Sequence, residues 1–265
     1  MTDLARARVP AGQSLGGALA LGILWLAGAS AVVGCAKAPG TLLILQNQIP
    51  VVDSTSGVCA PTADSSDPSL GSGRFDVFLD RFYPYLAYPL IQNRLPSLKT
   101  AGEIERNSLL LTKVRVEIRA PAGVDPRWAV GCPGSFDTPV SGILDPGSVR
   151  AVTVEALRSC HAERLNQMIA AGDIPGNLAQ PVSFTLELTA IGDRSGSEQK
   201  SDVFPFDVQV CAGCLQSMFP KIPACADAPK PNPLPGNPCN IAQDGPAVLC
   251  CASPGGAVVC PSPDS

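Results

Sequence analysis

Four stretches of this chain alternate apolar and polar residues with a period of two, and that pattern leaves few folds open. In Arg74–Leu79, the apolar Phe75, Val77 and Leu79 alternate with Arg74, Asp76 and Phe78. In Leu110–Arg119, Val114, Val116 and Ile118 alternate with Arg115, Glu117 and Arg119. In Val182–Ile191 the apolar set is Val182, Phe184, Leu186 and Leu188, and in Val203–Val210 it is Phe204, Phe206, Val208 and Val210. Successive side chains of a strand point to opposite faces, so each run reads as a strand with one face on a core and one in water. The predicted core is built from Phe75, Val77, Val114, Val116, Phe184, Leu186, Phe206 and Val208. Thr41–Gln46 reads as a further, apolar strand. The last two alternating runs flank the polar loop Gly192–Ser201 and predict a hairpin, and Pro205 on the outward face places its second strand at a sheet edge. Only one helix is expected, over Glu155–Ala171, where Leu157, Cys160, Leu165, Met168 and Ile169 recur at helical spacing and Gly172 supplies a stop. The fold class expected is mainly β: an antiparallel β-sandwich, immunoglobulin-like in general shape, with one helix and an irregular disulfide-rich C-terminal segment. The immunoglobulin Cys…Trp…Cys pattern is not matched.

The N-terminus has a different character. Residues 1–14 are polar and carry Arg6 and Arg8, whereas Leu15–Gly34 are apolar or small without a charge. This is the layout of a secretory signal, although an apolar run of about 20 residues also suffices to span a bilayer. The boundary decides between the two. Val32-Val33-Gly34-Cys35 resembles the lipobox of bacterial prolipoproteins, with Val in place of the commoner Leu at its first position. The resemblance covers about 35 residues. It implies removal of residues 1–34 and lipidation of Cys35, and several acyl chains on one residue anchor a protein stably where a single chain does not. Ala36 stands where an Asp would resemble an inner-membrane retention signal, which points to the outer membrane of the cell envelope.

Removing Cys35 from the eleven cysteines leaves ten: Cys59, Cys132, Cys160, Cys211, Cys214, Cys225, Cys239, Cys250, Cys251 and Cys260. An even set in an exported chain reads as a disulfide framework. The adjacent Cys250 and Cys251 should take different partners, and Cys211, at the end of the last strand, or Cys214 is expected to tie the tail to the sandwich. Residues 226–238 hold five prolines and read as an extended strap. The chain therefore divides into a leader (1–34), a lipidated linker (35–40), a sandwich domain (41–211) and a Cys/Pro-rich tail (212–265) held by disulfides.

Little in the sequence points to catalysis. Cys211-x-x-Cys214 with Cys250-Cys251 offers a four-thiolate zinc alternative, but the single histidine, His161, lies far from it and disulfides fit an oxidising compartment better. The Cys-Ala-Gly-Cys segment follows a strand and precedes a Pro-rich tail, the wrong context for a thioredoxin-like motif. Cys160 and His161 are neighbours and would point about 100° apart on a helix, so they do not form a dyad. The polar loop Asp53–Asp67 lacks the spacing of an EF-hand, and no phosphate or dinucleotide fingerprint is present. No metal and no cofactor are expected. The mature chain, without Asp3, Arg6 and Arg8, carries 17 basic and 22 acidic residues, a net charge of -5. Without a basic run it has no footprint for nucleic acid. Six of the 13 aromatics lie within Phe75–Tyr88, and Phe78, Phe82, Tyr83 and Tyr85 are the candidate binding face. The expectation is a non-enzymatic envelope or cell-surface lipoprotein of structural or interaction type, held to the membrane by its lipid. A ligand- or partner-binding module for a protein or glycan is the alternative, and an unrecognised enzyme the third.

Overall fold

The computed structural model describes residues 40–52, 58–79, 82–98, 105–176, 180–217, 224–227, 236–256 and 258–260. Cys35, its leader, and most of the Pro-rich strap lie outside these residues. In chain order the first strands are β1 (Leu42–Gln48), β2 (Val51–Val52), β3 (Cys59–Ala60), β4 (Ser69–Leu70), β5 (Ser72–Asp76), β6 (Tyr85–Ala87) and β7 (Pro89–Asn93). The middle of the chain supplies β8 (Leu109–Arg119), a 3-10 turn at Pro126–Ala129, β9 (Ser135–Leu144), β10 (Val149–Ala151), β11 (Val154–Leu157) and the helix α1 (Ser159–Ala171). Then come β12 (Val182–Arg194), β13 (Ser197–Lys200), β14 (Phe204–Cys211), β15 (Gln216–Ser217), β16 (Val248–Leu249), β17 (Cys251–Ala252) and β18 (Val258–Val259).

The fold is mainly β, with one helix. Of the two larger sheets, the first has the order β10-β7-β1-β4 and the second runs β5-β14-β12-β8-β9, with β13 pairing β12; β11-β6, β15-β16, β17-β18 and β2-β3 form two-stranded pairs. A single apolar cluster joins them: Leu42, Ile44 and Ile91 from the first sheet meet Val114, Val116, Phe184, Leu186, Phe206 and Val208 from the second. All eight residues of the core predicted from the alternation are buried. The pairing is not wholly antiparallel, because β5 lies parallel to β14, Asp207 opposite Ser72 through Cys211 opposite Asp76. That strand also places β14 inside the sheet rather than at its edge. Pro205 is tolerated because β5 begins opposite Asp207, leaving the proline's side of the strand uncovered. The core phase of β8 shifts from Leu109 and Leu111 to Val114 and Val116, a three-residue step. The register shifts between Leu111 and Lys113 absorb it as a bulge.

Two local expectations change. The polar loop Gly192–Ser201 is itself a hairpin, with Ile191 opposite Lys200 and Arg194 opposite Ser197. Ser195 and Gly196, at φ 52° and 86°, form the tight turn that matches the twist of paired strands. The helix begins at Ser159 rather than Glu155, because Val154–Leu157 pairs with β6. Gly172 ends it in the left-handed conformation (φ 77°), its N–H donating to Ile169 and Met168 carbonyls.

The ten cysteines pair as Cys59–Cys239, Cys132–Cys160, Cys211–Cys214, Cys225–Cys251 and Cys250–Cys260. Cys250 and Cys251 do take different partners. Cys211 and Cys214, however, close on each other, and the bond joining the tail to the early chain is Cys59–Cys239. Pro39–Ser265 is one compact unit. Residues 237–244 are hydrogen-bonded into the sandwich. Asp76 N–H donates to the Ala242 carbonyl (2.8 Å), and Asp244 N–H to the Arg74 carbonyl (3.0 Å). They thereby satisfy the outer edge of β5, which would otherwise present unpaired backbone groups.

Candidate functional site

The aromatic segment between β5 and β7 divides in two. Phe78, Phe82 and Tyr83 are 50, 64 and 60% exposed, whereas Tyr85 is fully buried. Tyr85 is therefore not part of a binding face. It sits on the inward side of β6, edge-on to Phe75 at 5.7 Å and stacked on Phe206 at 6.5 Å. Its hydroxyl donates to Asp244 Oδ2 at 2.7 Å. A side chain at position 73 would collide with that hydroxyl, so the approach requires Gly73. The sequence groups Tyr85 with the candidate binding face, but a half-buried carboxylate from the distant tail serves its hydroxyl instead.

Asp76, expected on the outward face, is also fully buried. Its Oδ1 accepts from the N–H groups of Phe78 (3.0 Å), Leu79 (3.4 Å) and Gly213 (2.8 Å), and its Oδ2 from Leu215 N–H (2.9 Å). One carboxylate thus fixes the turn carrying Phe78 and the loop closed by Cys211–Cys214. Nothing in the alternation identified it, because two of its partners, Gly213 and Leu215, lie 137 and 139 residues on. Phe78 consequently projects from an anchored turn.

A polar plug lies beneath them. Gln243 pairs with the backbone of Leu86 like a strand, accepting from its N–H (2.9 Å) and donating to its carbonyl (2.6 Å). Asn237 donates to the Gln243 carbonyl, and Asn240 to the Gln243 side-chain oxygen. Asp244 closes the plug, accepting from Tyr85, from Gln243 and from Arg74 N–H. A surface notch of about 230 Å³ opens beside it, lined by Ser72, Gly73, Arg74, Gln209, Asp244 and Gly245. This is below the roughly 300–1,000 Å³ typical of small-molecule sites. The exposed aromatic loop is the better candidate surface.

The other residues weighed for chemistry have structural roles. Cys160 is bonded to Cys132, and His161 is buried, its Nδ1 accepting from Arg158 N–H and its Nε2 donating to the Pro133 carbonyl. Cys211, Cys214, Cys250 and Cys251 are divided among three disulfides, so they do not converge as four thiolates. In the acidic loop, Asp64 accepts from the Ser66 N–H and hydroxyl, while residues 53–57 lie outside those described. Among the described residues no helix is long and apolar enough to cross a membrane.

Two ionisable groups, the half-buried Asp244 and the buried His161, pull stability in opposite directions. Burial raises the Asp244 carboxyl from 3.8 to about 6. The folded state then holds a proton that the unfolded chain has lost, so this contribution is full below pH 3.8 and disappears as pH rises through about 6. Burial lowers His161 from 6.5 to about 4, so its contribution is full above pH 6.5 and disappears as pH falls through about 4. Each amounts to about 2–3 kcal/mol, and they offset one another across the same window. Asp244→Asn should therefore unmask the histidine, with urea-derived stability rising by about 2–3 kcal/mol between pH 4 and 6.5. A flat profile in that variant would show that His161 is not buried as a neutral group.

No family model matches the chain, and neither does a curated protein or a solved structure.

Proposed function

We propose that the chain is an exported, lipid-anchored protein of the cell envelope, non-enzymatic and of structural or interaction type, held at Cys35 in the outer membrane. The supporting observation is the cysteine pairing. The five disulfides use all ten cysteines after position 35, an even set that needs no eleventh. An accidental cysteine before an exported domain has no reason to be the odd one out and to follow Val32-Val33-Gly34 as well. Five disulfides also suit an oxidising compartment.

The interaction side of the reading rests on Phe78, Phe82 and Tyr83. Three exposed aromatics, with Phe78 on a turn fixed by Asp76, offer a contact for a protein or glycan with little rotamer entropy to lose on binding. In cells fed a clickable fatty acid, Cys35→Ser should reduce label on this chain to background. Its disulfides should still form, as read from mobility without reductant. Undiminished labelling of the variant would refute acylation at this residue.

A further inference from the structure

The end of the sandwich at which the chain enters carries a surface suited to a lipid bilayer. Cys35 precedes the first described residue, Gly40, by five residues, which reach at most about 18 Å. Strand β1 then runs away from that point, advancing about 23 Å over its seven residues. The entry end is well defined by pairing. Leu42 lies opposite Asn93 and bridges to Ser201. Arg94 N–H donates to the Thr41 carbonyl, and the Asn93 side chain donates to the carbonyls of Asn107 and Leu144. The start of β8 and the end of β9 therefore meet at the same place.

Three large apolar side chains are exposed there: Leu98 at 59%, Leu110 at 49% and Ile143 at 65%. Leu110 and Ile143 are direct cross-strand partners, so they form one patch at the entry end of the sheet. The nearby charges are mixed in sign: Lys200 pairs with Glu198, and Glu105 accepts from Ser97 and Asn107. Phe78 and Tyr83 belong to the opposite pole, where β5 ends and β6 begins.

We infer that this entry end, with Leu110 and Ile143 at its centre, docks on the bilayer that holds the acyl chains of Cys35. The inference rests on the lipid-anchor reading above and deepens it. A tether shorter than the first strand cannot bring the far pole down to the membrane in its place, so docking leaves the aromatic loop facing outward. The contact is apolar rather than electrostatic, because the bases around it, Arg94, Arg150 and Arg194, are interspersed with Asp145 and Asp193.

The test uses the mature acylated protein reconstituted on vesicles of phosphatidylethanolamine and phosphatidylglycerol, compared by hydrogen exchange with the unacylated Cys35→Ser chain in solution. Amides of 94–98, 107–112 and 141–145 should exchange several-fold more slowly on vesicles, with those of 76–79 and 82–83 unchanged. The double variant Leu110→Ser, Ile143→Ser should still sediment with vesicles but lose that protection. Protection that is absent from a sedimenting wild type, that falls at the aromatic pole, or that vanishes on purely zwitterionic vesicles would overturn the docking. A protein that carries no acyl mass and fails to sediment would instead overturn the anchor, and the docking with it.

Discussion

Replacing Phe184 with alanine should lower the unfolding free energy by about 3–5 kcal/mol, and the thermal midpoint by about 6–20 °C for a domain of this size. Phe184 is fully buried at the centre of the second sheet. It pairs across the ladder with Val208 and meets the Trp128 ring edge-on at 5.4 Å. Truncation removes the transfer free energy of the ring and leaves a cavity between two sheets whose hydrogen-bonded ladders prevent collapse. Phe206→Ala should behave similarly, because its ring stacks against Tyr85 and supports the Tyr85–Asp244 contact. Phe78→Ala, at a half-exposed position, should stay within about 0.5 kcal/mol of the parent. Calorimetry or urea unfolding distinguishes these cases, and equal effects at Phe184 and Phe78 would show that the strand phases are misassigned.

Removing the Cys59–Cys239 bond should cost about 4–5 kcal/mol, since it closes a loop of 180 residues. Removing Cys211–Cys214, which closes a loop of 3, should cost about 1–2 kcal/mol. The difference is sharpened by what remains after each cut. Without Cys211–Cys214 the loop is still held by the Asp76 carboxylate through Gly213 and Leu215. Without Cys59–Cys239 the plug keeps its contacts but loses the covalent tie that confines the unfolded chain. Paired Cys→Ala variants compared in urea provide the test, and equal costs would mean that loop closure does not dominate. Under mild reduction of the intact protein, amides of 224–227 and 251–260 should lose protection before those of 237–244, which hydrogen bonds hold in the sandwich.

Where a strand alternates in polarity, its apolar inward face was legible from the residues alone. Phe75, Val116, Phe184 and Val208 all point into the core as the period of two required. Strands β7, β9 and β10 were not legible. Pro89, Pro139, Gly142 and the short run Val149–Ala151 break the alternation, and backbone pairing overrides weak local preference there. The candidate site suffered most, because its key contacts link distant parts of the chain. Asp76 reaches Gly213 and Leu215, Tyr85 reaches Asp244, and Leu86 reaches Gln243. A polar residue in a proline-rich tail resembles a solvated one until the strand it caps is known. The cysteines show both sides: their parity was informative, but their connectivity depended on which loops the sheets bring together.

Intact-mass spectrometry of the native membrane-extracted chain tests directly whether Cys35 is the lipidated first residue of an otherwise fully paired protein. The predicted mass is that of residues 35–265 with a diacylglyceryl or triacyl modification, less ten hydrogens for five disulfides. Alkylation before reduction should add nothing, and alkylation after reduction should add ten groups. A mature chain that still begins near Met1, or one whose Cys35 takes up the alkylating reagent as a free thiol, would contradict it.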